Sequence, residues 1–294
     1  HGLAAAETAL KAGLFETFEQ VRRIAPAKPR RLLSSQFHRW DVENIRTILR
    51  GKSTGAADED IVAAIFPAGE LNPIRLEELA REPNVIAVAD ALVIMAFPEA
   101  FELRKIIRSA DDSVDLAAVD VALSGGFFSR AADQTPGNNP NERMIMEQLA
   151  RQIDLANVMA VLQVIRHGQD ADGDQKPKVI PHGSLSSAFI AKLAACGTLD
   201  GAFELLATTY FEPGIERGIL SYGERRRLGV MERFLERIVI EFGCRMFRGD
   251  PLGIGVAAGF IWRKYNEFVN LRILLRGKAY GRSPAGIREE LLIV

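Results

Sequence analysis

The sequence predicts an all-α protein made of three similar helical units. Three observations lead there: one helical motif is written three times at equal spacing, apolar residues recur every three to four positions through most of the 294 residues, and no stretch alternates apolar with polar residues for long. The motif first appears as Asp41-Val-Glu-Asn-Ile-Arg-Thr-Ile-Leu-Arg-Gly-Lys52, followed by Gly55. It returns as Glu267-Phe-Val-Asn-Leu-Arg-Ile-Leu-Leu-Arg-Gly-Lys278 with Gly281, and a blurred copy, Asp154-Leu-Ala-Asn-Val-Met-Ala-Val-Leu-Gln163, stands midway with Gly168. The central asparagines Asn44, Asn157 and Asn270 are 113 residues apart both times (157 − 44 and 270 − 157).

Taken in order, residues 4–23 predict a helix whose Leu10, Leu14, Phe18 and Val21 share a face, interrupted by Pro26 and Pro29. A second helix is expected from about Leu32 to Arg50, with Phe37, Trp40, Ile45, Ile48 and Leu49 as its apolar stripe. Short helices follow at Arg75 to Arg81 and, in the second copy, Ser187 to Ala195. Each comes after a shared element, Ile65-Phe-Pro67-Ala-Gly69-Glu-Leu71 or Val179-Ile-Pro181-His-Gly183-Ser-Leu185. Helical spacing also runs through 87–108, 114–131, 142–166, 202–210 and 225–248, with turn clusters at 109–113 and 135–141. Asp250-Pro251 reads as an N-cap followed by proline at the first helical position, opening a helix towards Trp262 and Tyr265.

The motif has a physical reading. Asparagine is mildly unfavourable inside a helix because its amide competes with the backbone, so its presence in all three copies suggests a side chain that ties down a neighbouring loop. Arg50, Lys52, Arg276 and Lys278 fall in or beside the last helical turn, where cations suit the negative end of the helix dipole, and they are the candidate interface charges. Gly51 and Gly277 fit the C′ position, where a left-handed backbone is common.

Composition excludes several function classes. Thirty-seven Lys and Arg against 38 Asp and Glu leave a net charge of −1, which gives no footprint for nucleic acid or an anionic surface through charge alone. Cys196 and Cys244 lie far apart without a CxxC or Cys/His pattern and read as reduced, packed thiols. The apolar run from Pro251 to Trp262 is too short to span a bilayer.

Several motifs mislead. Gly51-Lys-Ser-Thr54 resembles the end of a phosphate loop, but Arg46 stands where the first glycine belongs and a helix precedes it instead of a strand. Gly253-Ile-Gly255-Val-Ala-Ala258 has dinucleotide-like spacing in a helical setting, which favours close helix packing. Asp170-Ala-Asp-Gly-Asp174 lacks the glycine and glutamate of a calcium loop, having Gln175 and Pro181 there. His38, His167 and His182 have no partner at ligand spacing. No catalytic, cofactor or metal residues are assigned.

The three Asn-centred copies, the stretch Gly249-Asp-Pro-Leu-Gly-Ile-Gly255 leading into Trp262-Arg-Lys-Tyr-Asn-Glu-Phe-Val-Asn-Leu-Arg272, and the ending Arg276-Gly-Lys-Ala-Tyr-Gly281 through Ile287-Arg-Glu-Glu-Leu-Leu292 together resemble the C subunit of the A-type and V-type rotary ATPases. The resemblance covers the whole chain. It implies a funnel of three like helical domains around a pseudo-threefold axis: a non-catalytic socket on the cytoplasmic face of the membrane. Its partners would be the central shaft subunits and the membrane proteolipid ring, with no cofactor and no nucleic acid. One departure is that Gln163-Val-Ile-Arg166 replaces Arg-Gly-Lys in the second copy, so the basic residues are not strictly threefold. The competing reading from another class is a soluble helical-repeat scaffold that binds another protein.

The expected units are 1–68, 69–181 and 182–294. In the last, Asn270 is the 89th of 113 residues, whereas 43 residues precede Asn44, so about 45 further residues are expected before a complete first unit.

Overall fold

The computed structural model describes residues 2–109, 115–168 and 179–294. Among them the regular structure is helical and no strand occurs. They fall into two compact units, one formed by His1–Gln134 with Lys264–Leu291, the other by Thr135–Arg263 with Leu292–Val294.

The first unit opens with two long helices, α1 (Gly2–Ile24) and α2 (Ala27–Ser53). Short helices follow: α3 (Asp58–Ala64), α4 (Pro73–Ala80), α5 (Val85–Ile94) and α6 (Ala100–Arg108), then α7 (Leu116–Gln134). Local chemistry sets their starts. The Asn72 side chain accepts the Arg75 N–H with Pro73 at the first position, and Asn84 accepts the Ala87 N–H. Phe18, Phe37 and Trp40 form the aromatic centre, with ring centroids 5.2 and 5.5 Å from Phe18. Phe66 adds a pair with Phe268 at 4.4 Å.

The second unit contains α8 (Pro140–Gly168), α9 (Ser187–Ala194), α10 (Leu199–Leu206), α11 (Glu212–Arg225) and α12 (Leu228–Arg245), then a 3-10 turn at Met246–Arg248. Ser186 and Thr198 cap α9 and α10 through the Phe189 and Gly201 N–H groups. Helices α11 and α12 approach closely because Gly214 and Gly218 lack side chains. A Cβ at Gly214 would meet the Phe234 carbonyl at 2.9 Å. The long helix α13 (Gly255–Ala279) follows, its residues from Lys264 onward belonging to the first unit, and α14 (Pro284–Glu290) closes the regular structure behind a Ser283 cap.

Several sequence expectations need correction. The chain passes from α1 to α2 through Ala25 and Pro26 alone. Pro29 interrupts nothing, because it sits in the first turn of α2, where a missing N–H costs nothing. The spacing over 87–108 belongs to two helices, separated where Ala96 takes φ 54°. Helix α11 lies largely outside the expected spans, since glycines at 214 and 218 on its packed face hide the apolar period. Asp250 does not start a helix. Its carboxylate accepts the Leu252 N–H at 3.0 Å in a turn, and α13 begins at Gly255, which lies so close to Met144 and the Met246 carbonyl that a Cβ would be 2.7 Å from each. Gly259, one turn on, would place a Cβ 2.3 Å from the Phe247 nitrogen, so this small-residue run does serve close packing as expected.

Candidate functional site

In its first two copies the repeated motif builds a loop clamp. In the first unit Asp41 and Asn44 lie three residues apart on one face of α2, both almost fully buried. The Asn44 amide pairs with both backbone groups of Phe66: Nδ2 donates to the carbonyl and Oδ1 accepts the N–H, each at 2.7 Å. The Asp41 carboxylate accepts the Glu70 N–H at 2.7 Å and the Leu71 N–H at 3.0 Å. Gly69 lies against that carboxylate so tightly that a Cβ would overlap Asp41 Oδ1 at 1.9 Å.

The second unit repeats the arrangement on α8. Asn157 donates to the Ile180 carbonyl at 2.9 Å and accepts its N–H at 2.8 Å. Asp154 accepts the Ser184 and Leu185 N–H groups, both at 3.0 Å, and Gly183 fills the place of Gly69. Tyr210 adds a hydroxyl donor to Asp154 at 2.8 Å. Burial and the adjacent Asp154 carboxylate hold that phenol protonated, well above the usual tyrosine range.

A second repeated device closes the helix ends. Gly51 and Gly277 are not left-handed C′ residues as expected: both lie inside their helices, and the positive φ falls on Gly55 (69°) and Gly281 (65°). Gly51 is small because Ile61 of α3 packs on it, and a Cβ would meet Ile61 Cγ1 at 2.5 Å. Gly277 and Ile287 of α14 repeat this at 2.6 Å. The Ala56 N–H bonds the Gly51 carbonyl at 2.9 Å and the Arg282 N–H bonds the Gly277 carbonyl at 2.8 Å. Gly51-Lys-Ser-Thr54 therefore ends a helix, presenting carbonyls where a phosphate site would need N–H groups.

Asn270 is half-buried on α13, and Gly168 is exposed at the end of α8. Arg50 pairs with Asp120, Lys52 with Asp58 at 2.6 Å and Arg276 with Glu7 at 2.5 Å, whereas Lys278 is exposed. The Asp170–Asp174 stretch lies outside the described residues. Among the described residues no cluster of His, Cys, Asp and Glu could hold a metal ion, and no helix is long and apolar enough to cross a membrane.

Sequence reasoning misses Asp41 and Asp154. Their signal is present in the chain, since both stand three residues before the asparagine and 113 apart (154 − 41). It also misses the role of His38, which lies in a buried polar group with Glu99 at 3.0 Å from Nε2 and Asp41 at 3.7 Å from Nδ1. Arg130 pairs with Glu99 at 2.9 Å. Burial of the imidazole opposes its charge, but Asp41 and Glu99 outweigh that and raise its pKa.

The family described as ATP synthase (C/AC39) subunit matches residues 1–290. The chain belongs to that family. Among its relatives is an A-type ATP synthase C subunit of Methanothermobacter thermautotrophicus, 27% identical over 97% of this chain and 74% of the relative. The Methanocaldococcus jannaschii protein of the same name is 24% identical over 98% and 72% of the two chains. A V-type ATP synthase C subunit of Deinococcus radiodurans is 24% identical over 99% and 75% of the two chains. The clamps are thus features of a member of the C/AC39 family.

Proposed function

We propose that this chain is the non-catalytic central-stalk socket of a rotary A/V-type ATP synthase or ATPase, with one end holding the shaft subunits and the other seated on the membrane proteolipid ring at the cytoplasmic side. The observation that supports this reading is the clamp built twice, 113 residues apart, in a chain of the C/AC39 family. Torque passes through a part only if its faces do not yield. Buried, doubly bonded asparagines and charge-assisted aspartate contacts hold loops in that way.

The layout proposed is three like units, 1–68, 69–181 and 182–294, around a pseudo-threefold axis. Of the candidate interface cations, Arg50, Lys52 and Arg276 are engaged within the chain, so Lys278 is the one proposed to face a partner subunit. Permanent interfaces commonly bury on the order of 2,000 Å² or more, far beyond one charge, so shape would carry most of the binding.

Affinity purification from detergent-extracted native membranes tests the reading. Recovery of the chain with ring and shaft subunits supports it. Recovery only from the soluble fraction, without those subunits, favours the helical-repeat scaffold instead.

A further inference from the structure

We infer that His38 makes the first loop clamp responsive to pH, whereas the second clamp is built to ignore it. The two clamps are alike in their asparagine, aspartate and glycine, and differ at the residue three before the aspartate. That residue is His38 in the first and Arg151 in the second, again 113 apart (151 − 38).

In the first clamp the imidazole stands between two buried carboxylates, Glu99 from the turn before α6 and Asp41 on its own helix. Arg130 of α7 faces the same group through Glu99, Glu70 of the clamped loop lies beside Asp41, and Arg22 of α1 donates to the Gly69 carbonyl at 2.7 Å. His38 also lines a cavity of about 200 Å³, together with Ser34, Glu70, Phe127, Arg130 and Gln134, which gives the proton a way in and out.

With His38 charged, the two cations and two carboxylates of the inner group balance. Loss of its proton leaves Asp41 buried without that cation while it still holds the Glu70 and Leu71 N–H groups. Ionisation of Glu70, an exposed residue whose pKa partial desolvation of its carboxyl and the neighbouring Asp41 raise, pushes the same way as pH rises. The second clamp has no such step. Arg151 keeps its charge and lies over Tyr210 and Phe242 at 4.5 and 4.0 Å, Tyr210 supplies the extra donor to Asp154, and His182 of that loop is exposed.

The folded pKa of His38 is raised, so its contribution to stability is complete below the unfolded value of 6.5 and is lost as pH rises through the folded value. Hydrogen exchange of the full chain, corrected for intrinsic rates, tests this between about pH 6 and about pH 9. Protection of the Glu70 and Leu71 amides should fall roughly tenfold or more with rising pH, while Ser184 and Leu185 stay level. His38→Gln should flatten the response. Glu99→Gln should move it to lower pH, which keeps the test open should His38→Gln fail to fold, and Glu70→Gln should leave a response in place. Equal pH dependence of the two loops, or a response abolished by Glu70→Gln and unmoved by Glu99→Gln, would overturn the inference.

Discussion

Asn44 satisfies both backbone groups of Phe66 at once, at 2.7 Å each, across 22 residues of chain. The helix thereby fixes the loop's position and its orientation. Asn157 does the same for Ile180.

Removing the Asn44 amide leaves the part-buried Phe66 N–H without its acceptor, its carbonyl keeping the Ala68 N–H at 2.8 Å, and removing the Asn157 amide takes the partner from a buried N–H and C=O of Ile180. Asn44→Ala and Asn157→Ala should each cost about 1–3 kcal/mol in urea unfolding. A loss under about half a kcal/mol would show that the amide does not hold its loop.

Gly51→Ala forces a methyl group into Ile61 and should destabilise by about 1–3 kcal/mol. Combining it with Ile61→Ala should recover part of the loss, because the smaller partner makes room. A double-mutant cycle measures this coupling, and strict additivity would count against the packing account.

Burial pushes the Cys244 thiol up to about 11, while Cys196 is only half-buried. A thiol reagent at neutral pH should label Cys196 first and reach Cys244 only on unfolding. Mass spectrometry of a labelling time course reads the order, and early modification of Cys244 would contradict it.

Burial, with Arg272 nearby, lowers the Lys11 ammonium to about 8. Between about 8 and 10.5 the unfolded chain holds the proton and the folded chain does not, so this group makes stability rise with pH across that window. Lys11→Met should flatten that part of the profile, as followed by denaturant unfolding at several pH values.

The helical class is legible in the sequence because apolar residues such as Phe18, Phe37, Ile45 and Leu49 keep the helical period and are buried. The loop-tying role of Asn44 is legible too, since a mid-helix asparagine invites explanation. Asp41 and His38 are not, because a carboxylate or imidazole on a helix ordinarily reads as solvated, and only the fold brings Glu70, Leu71 and Glu99 to them. Gly51 misleads because sequence does not distinguish a glycine required by backbone conformation from one required by a neighbour's bulk. The helix start at Gly255 is displaced for the same reason, through contacts with Met144 and Met246.

Gly51 and Ile61, like Gly277 and Ile287, are ten residues apart (61 − 51 and 287 − 277). Each pair works as a ruler: the isoleucine reaches the bare helix surface only if the connecting segment has that length. Away from Gly55 and Gly281, substitutions in the segment should therefore be accepted far more readily than a single-residue insertion or deletion in the first turn of α3 or α14, which would carry the isoleucine about 100° around its helix axis and off its seat.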